Sequence, residues 1–308
     1  MELAWITVEK IVEMFFIMLL GAAAYHYGVV DSAANKRISG ICLKIVSPAM
    51  IFMSYQIEFQ QELLRGLAIT AACSALSMVL AIGVTKLMIR TGKSLDVEIE
   101  KISVIYSNCG FIGIPLIHGL LGREGVFYMT AYITVFNLLI WSHGLALMCG
   151  TGSLKATLQK FVQPATIAIG AGIVCFLLRI RLPEVIGNPL GMIGDMNTPL
   201  AMLVAGCNLA ESNLLAAFRR PRTYYVSFLK LLLIPFLTAL LLGVVGAGQT
   251  IALTILVATA CPSAAMGTMF ALQYQRDSNY AAELFAITTV LSLVTIPAVI
   301  LMSAGIVL

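Results

Sequence analysis

Apolar residues run through this chain in blocks separated by short charged gaps. The blocks fall at about 10–30, 36–56, 65–90, 98–119, 123–149, 158–179, 187–210, 223–247, 250–273 and 281–306. Each is near the roughly 20 residues that a helix needs to cross a bilayer's hydrocarbon core. Ten such spans leave only short connections, so no soluble domain is expected. The pattern predicts an all-α polytopic membrane protein of ten transmembrane helices.

Composition strengthens this reading. Of 308 residues, 60% are apolar and 11% charged, against about 25% charged in a soluble domain. The gaps also orient the spans. Those after spans 1, 3, 5, 7 and 9 carry Lys36, Arg37, Lys86, Arg90, Lys93, Lys101, Lys155, Lys160, Arg219, Arg220, Arg222 and Arg276; the other side carries Lys10, Arg65, Arg123, Arg179 and Arg181. Basic residues favour the cytoplasmic side, which places both termini on the non-cytoplasmic side of a cell membrane. The first block follows Glu2, Glu9 and a single Lys10, so it reads as a membrane helix rather than a secretory leader, whose start is net positive. With a net charge of +4 spread in ones and twos, no nucleic-acid partner is expected. The seven cysteines lie in apolar blocks without CxxC spacing, so no disulfide framework, metal site or cofactor is indicated.

Two internal matches follow. Ser47-Pro48-Ala49-Met50 in the second span resembles Thr198-Pro199-Leu200-Ala201 in the seventh, and the segment ending in Pro115 of the fourth resembles that around Pro262 of the ninth. The offsets agree closely. A repeat of five helices inverts its second copy, so residues 1–150 and 151–308 are expected to form two inverted five-helix repeats. In such carriers, substrates bind near the midplane at discontinuous helices.

The fourth span reads Ser107-Asn108-Cys109-Gly110-Phe111-Ile112-Gly113-Ile114-Pro115-Leu116, and the ninth Cys261-Pro262-Ser263-Ala264-Ala265-Met266-Gly267-Thr268. Glycine and proline both oppose a continuous helix, and unwound backbone at this depth is tolerated only inside protein or against a water-filled cavity. If the two breaks cross, two half-helix N-termini bring amide donors to one point suited to a carboxylate. The alternative is a pair of packing kinks.

These residues resemble the auxin efflux carrier family, whose members include the plant PIN transporters. The fourth-span motif Asn108 to Leu116 carries the specific part. Pro48 with Phe52, Thr198-Pro199-Leu200, Pro262, and Thr288-Thr289-Val290-Leu291-Ser292 with Pro297 fit the same pattern. The resemblance implies a bile-acid-transporter-like fold with helices 4 and 9 broken and crossing. It further implies a scaffold of helices 1, 2, 6 and 7, often a homodimer contact, and a mobile body of helices 3–5 and 8–10 working as an elevator.

The function expected is secondary transport of small organic anions, mono- or dicarboxylates or auxin-like aromatic acids. Two alternatives stay open: a sodium- or proton-coupled carrier of the bile-acid type, and a membrane receptor that does not transport. An enzyme is not expected, since neither a HExxH helix nor paired intramembrane aspartates are present. Asn108 leads the candidate substrate contacts, its amide being both donor and acceptor, though it could instead cap a helix end. Cys109, Gly110, Pro115, Pro262 and Ser263 accompany it at the breaks, Ser47, Met50 and Thr198 at the paired prolines, and Asn137 in the fifth span. Lys44, Asp195 and Lys230 are candidate charge partners, with Lys230 either reaching the substrate or snorkelling to the cytoplasmic face. Glu283 and Glu13 are expected at interfaces, and Tyr128, Tyr132, Trp5 and Trp141 as interface anchors or packing.

Overall fold

The computed structural model describes residues 2–90, 96–149, 163–212 and 214–307. Among the described residues every regular element is helical. In chain order these are α1 (Glu2–His26), α2 (Ser32–Ser54), α3 (Gln61–Met88), α4 (Val97–Ile105), α5 (Cys109–Met148), α6 (Pro164–Leu177), α7 (Glu184–Asp195), α8 (Asn197–Glu211), α9 (Leu214–Arg219), α10 (Pro221–Val245), α11 (Gln249–Ala260), α12 (Met266–Gln273) and α13 (Ser278–Val307). Five stretches, Ser32–Ser54, Gln61–Met88, Cys109–Met148, Pro221–Val245 and Ser278–Ser303, are long and apolar enough to cross a membrane, and Pro164–Leu177 and Gln249–Ala260 are shorter apolar helices. The expected repeat boundary at 150/151 and Lys93, Lys155 and Lys160 lie outside the described residues, as do the side chains of Trp5 and Cys149.

Proline explains where the helical ladder changes step. Pro48, Pro115 and Pro235 each lie two residues beyond a π-helical turn, Cys42–Val46, Cys109–Gly113 and Leu229–Leu233 respectively. A proline gives no N–H to the carbonyl four residues back and its ring crowds that oxygen. The ladder widens instead, and the amides of Ser47, Ile114 and Ile234 bond the carbonyls of Cys42, Cys109 and Leu229, five residues back. Inside α5, Gly122 takes φ 60° and ψ −147°, and two helices meet there without a loop. That backbone region favours glycine.

Lipid-facing and protein-facing surfaces divide as a membrane setting requires. Phe16, Leu20, Leu76, Val79, Val244, Val294 and Leu301 are exposed. Because lipid tails are as apolar as these side chains, helix association relies on close packing and hydrogen bonds rather than on burial from water. The crossing of α1 with α8 illustrates the packing. A Cβ on Gly21 would collide with the Leu203 backbone, and one on Gly206 with the Met18 backbone, so glycine permits backbone-to-backbone contact. Hydrogen bonds add to this where α2 meets α8, with Ser47 Oγ donating to Asn197 Oδ1 at 2.6 Å and Asn35 Nδ2 to Asn208 Oδ1 at 2.7 Å.

Candidate functional site

Two helix breaks meet in the interior. The first separates α4 from α5 at residues 106–108, the second separates α11 from α12 at 261–265. They run antiparallel with Ser107 opposite Ser263. The Asn108 amide donates to the Pro262 carbonyl at 2.8 Å, and the Ala264 amide to the Tyr106 carbonyl at 2.9 Å. Each unwound segment thus satisfies backbone groups of the other, which buried backbone needs in the absence of water. Pro262 supplies the acceptor, and its missing N–H orphans no donor.

The polarity of the crossing is set by chain direction. α4 and α11 arrive at it with their C-termini, while α5 and α12 leave it with their N-termini. The arriving ends present carbonyls and partial negative charge, the leaving ends amides and partial positive charge. Asn108 stands at the start of α5. Its carbonyl accepts the Ile112 amide at 3.0 Å and the Gly113 amide at 3.3 Å, and its side chain makes no capping bond to the half-helix. The residue is 6% exposed, which places a buried donor–acceptor side chain at the N-terminal end without a capping bond.

Lys230 lies within the same cluster. It is 1% exposed, so of the two readings left open for it snorkelling does not occur: its side chain points inward from the π turn Leu229–Leu233. Its Nζ donates to Ser107 Oγ and, at 3.3 Å, to the Thr259 carbonyl. Tyr132, also buried, lies beside Ser107. Both donors of Ser263 are used within the fold, its amide donating to Thr288 Oγ1 at 3.1 Å and its hydroxyl to the Ser103 carbonyl at 2.9 Å. It ties the breaks to α4 and α13.

The sequence matches the family described as membrane transport protein over residues 6–300, nearly the whole chain. The chain belongs to the auxin efflux carrier family. It is also similar to an uncharacterized transporter of Methanothermobacter thermautotrophicus, 25% identical over 297 residues that cover 94% of this chain and 96% of that protein. As a family member it is a multi-pass membrane transport protein.

The remaining candidates in this family member fall in three places. Cys109 and Pro115 are buried beside Asn108, with Gly110 partly exposed between them. A Cβ on Gly110 would meet nothing within 4 Å, whereas one on Gly113 would come within 3.2–3.3 Å of Met129, Cys109 and Cys261. Ser47 is buried in its bond to Asn197, and Thr198 lies one residue on. Met50 lines a small outer cavity with His118, Arg123 and Asp195, which adjoins an open cavity of about 580 Å³ bordered by Arg123, Arg181, Glu184 and Asp195. Asn137 is buried in the second part of α5. Lys44 and Asp195 are both exposed, and no ion pair joins them among the described residues.

Several contacts were not legible from local motifs. Glu100, fully buried, accepts Arg222 Nε at 3.0 Å and Nη2 at 2.7 Å together with the Tyr280 hydroxyl at 3.0 Å. This group fastens α4 to α10 and α13. Glu283 is 5% exposed and pairs at 3.3 Å with Arg220, whose side chain is 43% exposed, so it is shielded by protein near the start of α13. Trp141, expected at an interface or in packing, is buried edge-on against Phe270 with ring centroids 5.4 Å apart. A carboxylate near a span start looks interfacial in sequence, and only the fold brings its arginine to it.

Proposed function

We propose that this protein is a secondary transporter of small organic anions, mono- or dicarboxylates including aromatic acids, with the carboxylate bound at the crossing of the two breaks. The observation that carries this is the antiparallel pairing of Ser107 and Ser263, which directs the starts of α5 and α12 to one buried locus beside Asn108. Amides at two half-helix N-termini and a side-chain amide suit a carboxylate: they supply donors and partial positive charge already oriented. Cys109 and Gly110 belong to the first amides of α5, Pro262 fixes the second break, and Pro115 and Ser263 hold the shape.

The same reading treats residues 1–150 and 151–308 as inverted five-helix repeats. A scaffold of α1, α2, α6, α7 and α8, through which two copies would pair, faces a body of α3–α5 and α10–α13. An apolar seam runs between them, lined by Met14 and Met18 of α1 and Met202 of α8 against Ile112, Leu116 and Thr289 of α5 and α13. Few polar bonds would break if the body slides along this surface, as an elevator movement needs. Ser47, Met50, Thr198 and Asn137 serve packing and the walls of the path in this account.

Reconstituted vesicles test the proposal. Wild-type protein is expected to accumulate a radiolabelled carboxylate, and Asn108→Ala to lose that uptake while retaining its melting temperature. Equal uptake by both would refute the assignment of Asn108.

A further inference from the structure

The cluster around Lys230 suggests how this carrier meets the need for a cation. Discontinuous helices of transporters commonly coordinate a coupling ion with the carbonyls of half-helix C-termini, opposite the N-termini that take the anionic substrate. Here α4 and α11 end at the crossing, and the carbonyl of Thr259 lies in the last turn of α11. Lys230 Nζ sits between the Thr259 carbonyl and Ser107 Oγ, which follows the end of α4. It therefore occupies the negative end of both dipoles.

Nothing else neutralises this ammonium. No carboxylate pairs with it among the described residues. Holding a cation out of water is costly unless charge or dipoles compensate it. The Thr259 carbonyl in the last turn of α11 and the Ser107 hydroxyl just past the end of α4 provide such compensation, as they would for an inorganic ion. The lysine comes from α10, whose Pro235 produces the π turn that aims it inward.

We propose that Lys230 is a resident cation that fills the place of a coupling metal ion, so that this carrier binds its anion without sodium. The inference rests on reading the crossing as the transport site. It deepens that reading by stating what balances the bound carboxylate's charge: a covalently tethered ammonium that travels with the site.

Purified protein in detergent tests this by thermal unfolding, with sodium, choline or n-propylammonium chloride at equal ionic strength. Wild type is expected to melt at the same temperature in all three. Lys230→Ala, which removes the equivalent of propylammonium, is expected to melt lower in choline and to recover with n-propylammonium in a saturable manner, since a ligand that binds only the native state raises the midpoint. Lys230→Ser is read in parallel under the same salts. The proposal is overturned if sodium raises the wild-type midpoint above that in choline, or if n-propylammonium shifts the variants no more than wild type. Neither readout uses a carboxylate. Failure of the anion assignment would appear separately, as loss of any Asn108-dependent carboxylate effect with the propylammonium response intact.

Discussion

The two helix breaks cross as partners, yet the helices leading into them are held by different physics. α4 is nine residues long and acidic, with Asp96 accepting the Ile99 amide at 3.2 Å as its N-cap and Glu100 locked to Arg222 and Tyr280. α11 carries no charge, is buried throughout 251–260, and its Thr254 and Thr259 hydroxyls bond its own backbone. One half-helix is anchored by charge and the other by packing. At the breaks themselves the contrast is functional. The first carries Asn108 with no capping bond and Ser107 with Lys230, while Ser263 in the second has both its polar groups bonded internally. Under the proposed function, ligand chemistry is concentrated on the first break, and the second completes its geometry.

Breaking the charge anchor should have the largest effect. Glu100→Ala leaves Arg222 without its buried partner, which costs about 3–5 kcal/mol, and a large fall in melting temperature is the expected readout. Asn108→Ala comes next and acts on binding alone. Loss of a hydrogen bond to a charged ligand, about 1.5–3 kcal/mol, weakens carboxylate affinity about tenfold to a hundredfold. Calorimetric titration measures it. A comparable loss on Ser263→Ala would erase the distinction between the breaks.

Thr288→Val strands the Ser263 amide and should destabilise by about 1–3 kcal/mol, seen in thermal unfolding with carboxylate affinity little changed. A comparable or smaller effect is expected at Gly113 and the smallest at Gly110, both in the opening turn of α5. Gly113→Ala must displace Met129 and the two thiols, an overpacking cost of about 1–3 kcal/mol at most. Gly110→Ala has open space and should melt as wild type does. Any change in carboxylate binding by Gly110→Ala would therefore report on the site itself.

Both breaks were readable in sequence because their causes are local. Pro262 stands in the second break, while Gly110, Gly113 and Pro115 lie just past the first, in the opening turns of α5, and Gly122 marks the junction inside α5. Ser47 bonds Asn197, the residue before Thr198, a contact that the match between the two proline motifs does not specify. What escaped depends on partners remote in the chain. Lys230 meets Ser107 across 123 residues, and Glu100 meets Tyr280 across 180. No periodicity encodes those meetings, and a lysine eight residues into a span looks equally able to snorkel until the π turn fixes its direction. Lys44 and Asp195 show the converse. They align in the sequence match, yet both are exposed and no ion pair joins them among the described residues.

The central claim is that a carboxylate binds at the first break through Asn108. Thermal unfolding of wild type and Asn108→Ala across a panel of mono-, di- and aromatic carboxylates measures this directly. The account predicts at least one acid that raises the wild-type midpoint in a saturable way and leaves the variant unmoved, both proteins melting alike without ligand. Equal stabilisation of the two by every acid that binds would contradict it.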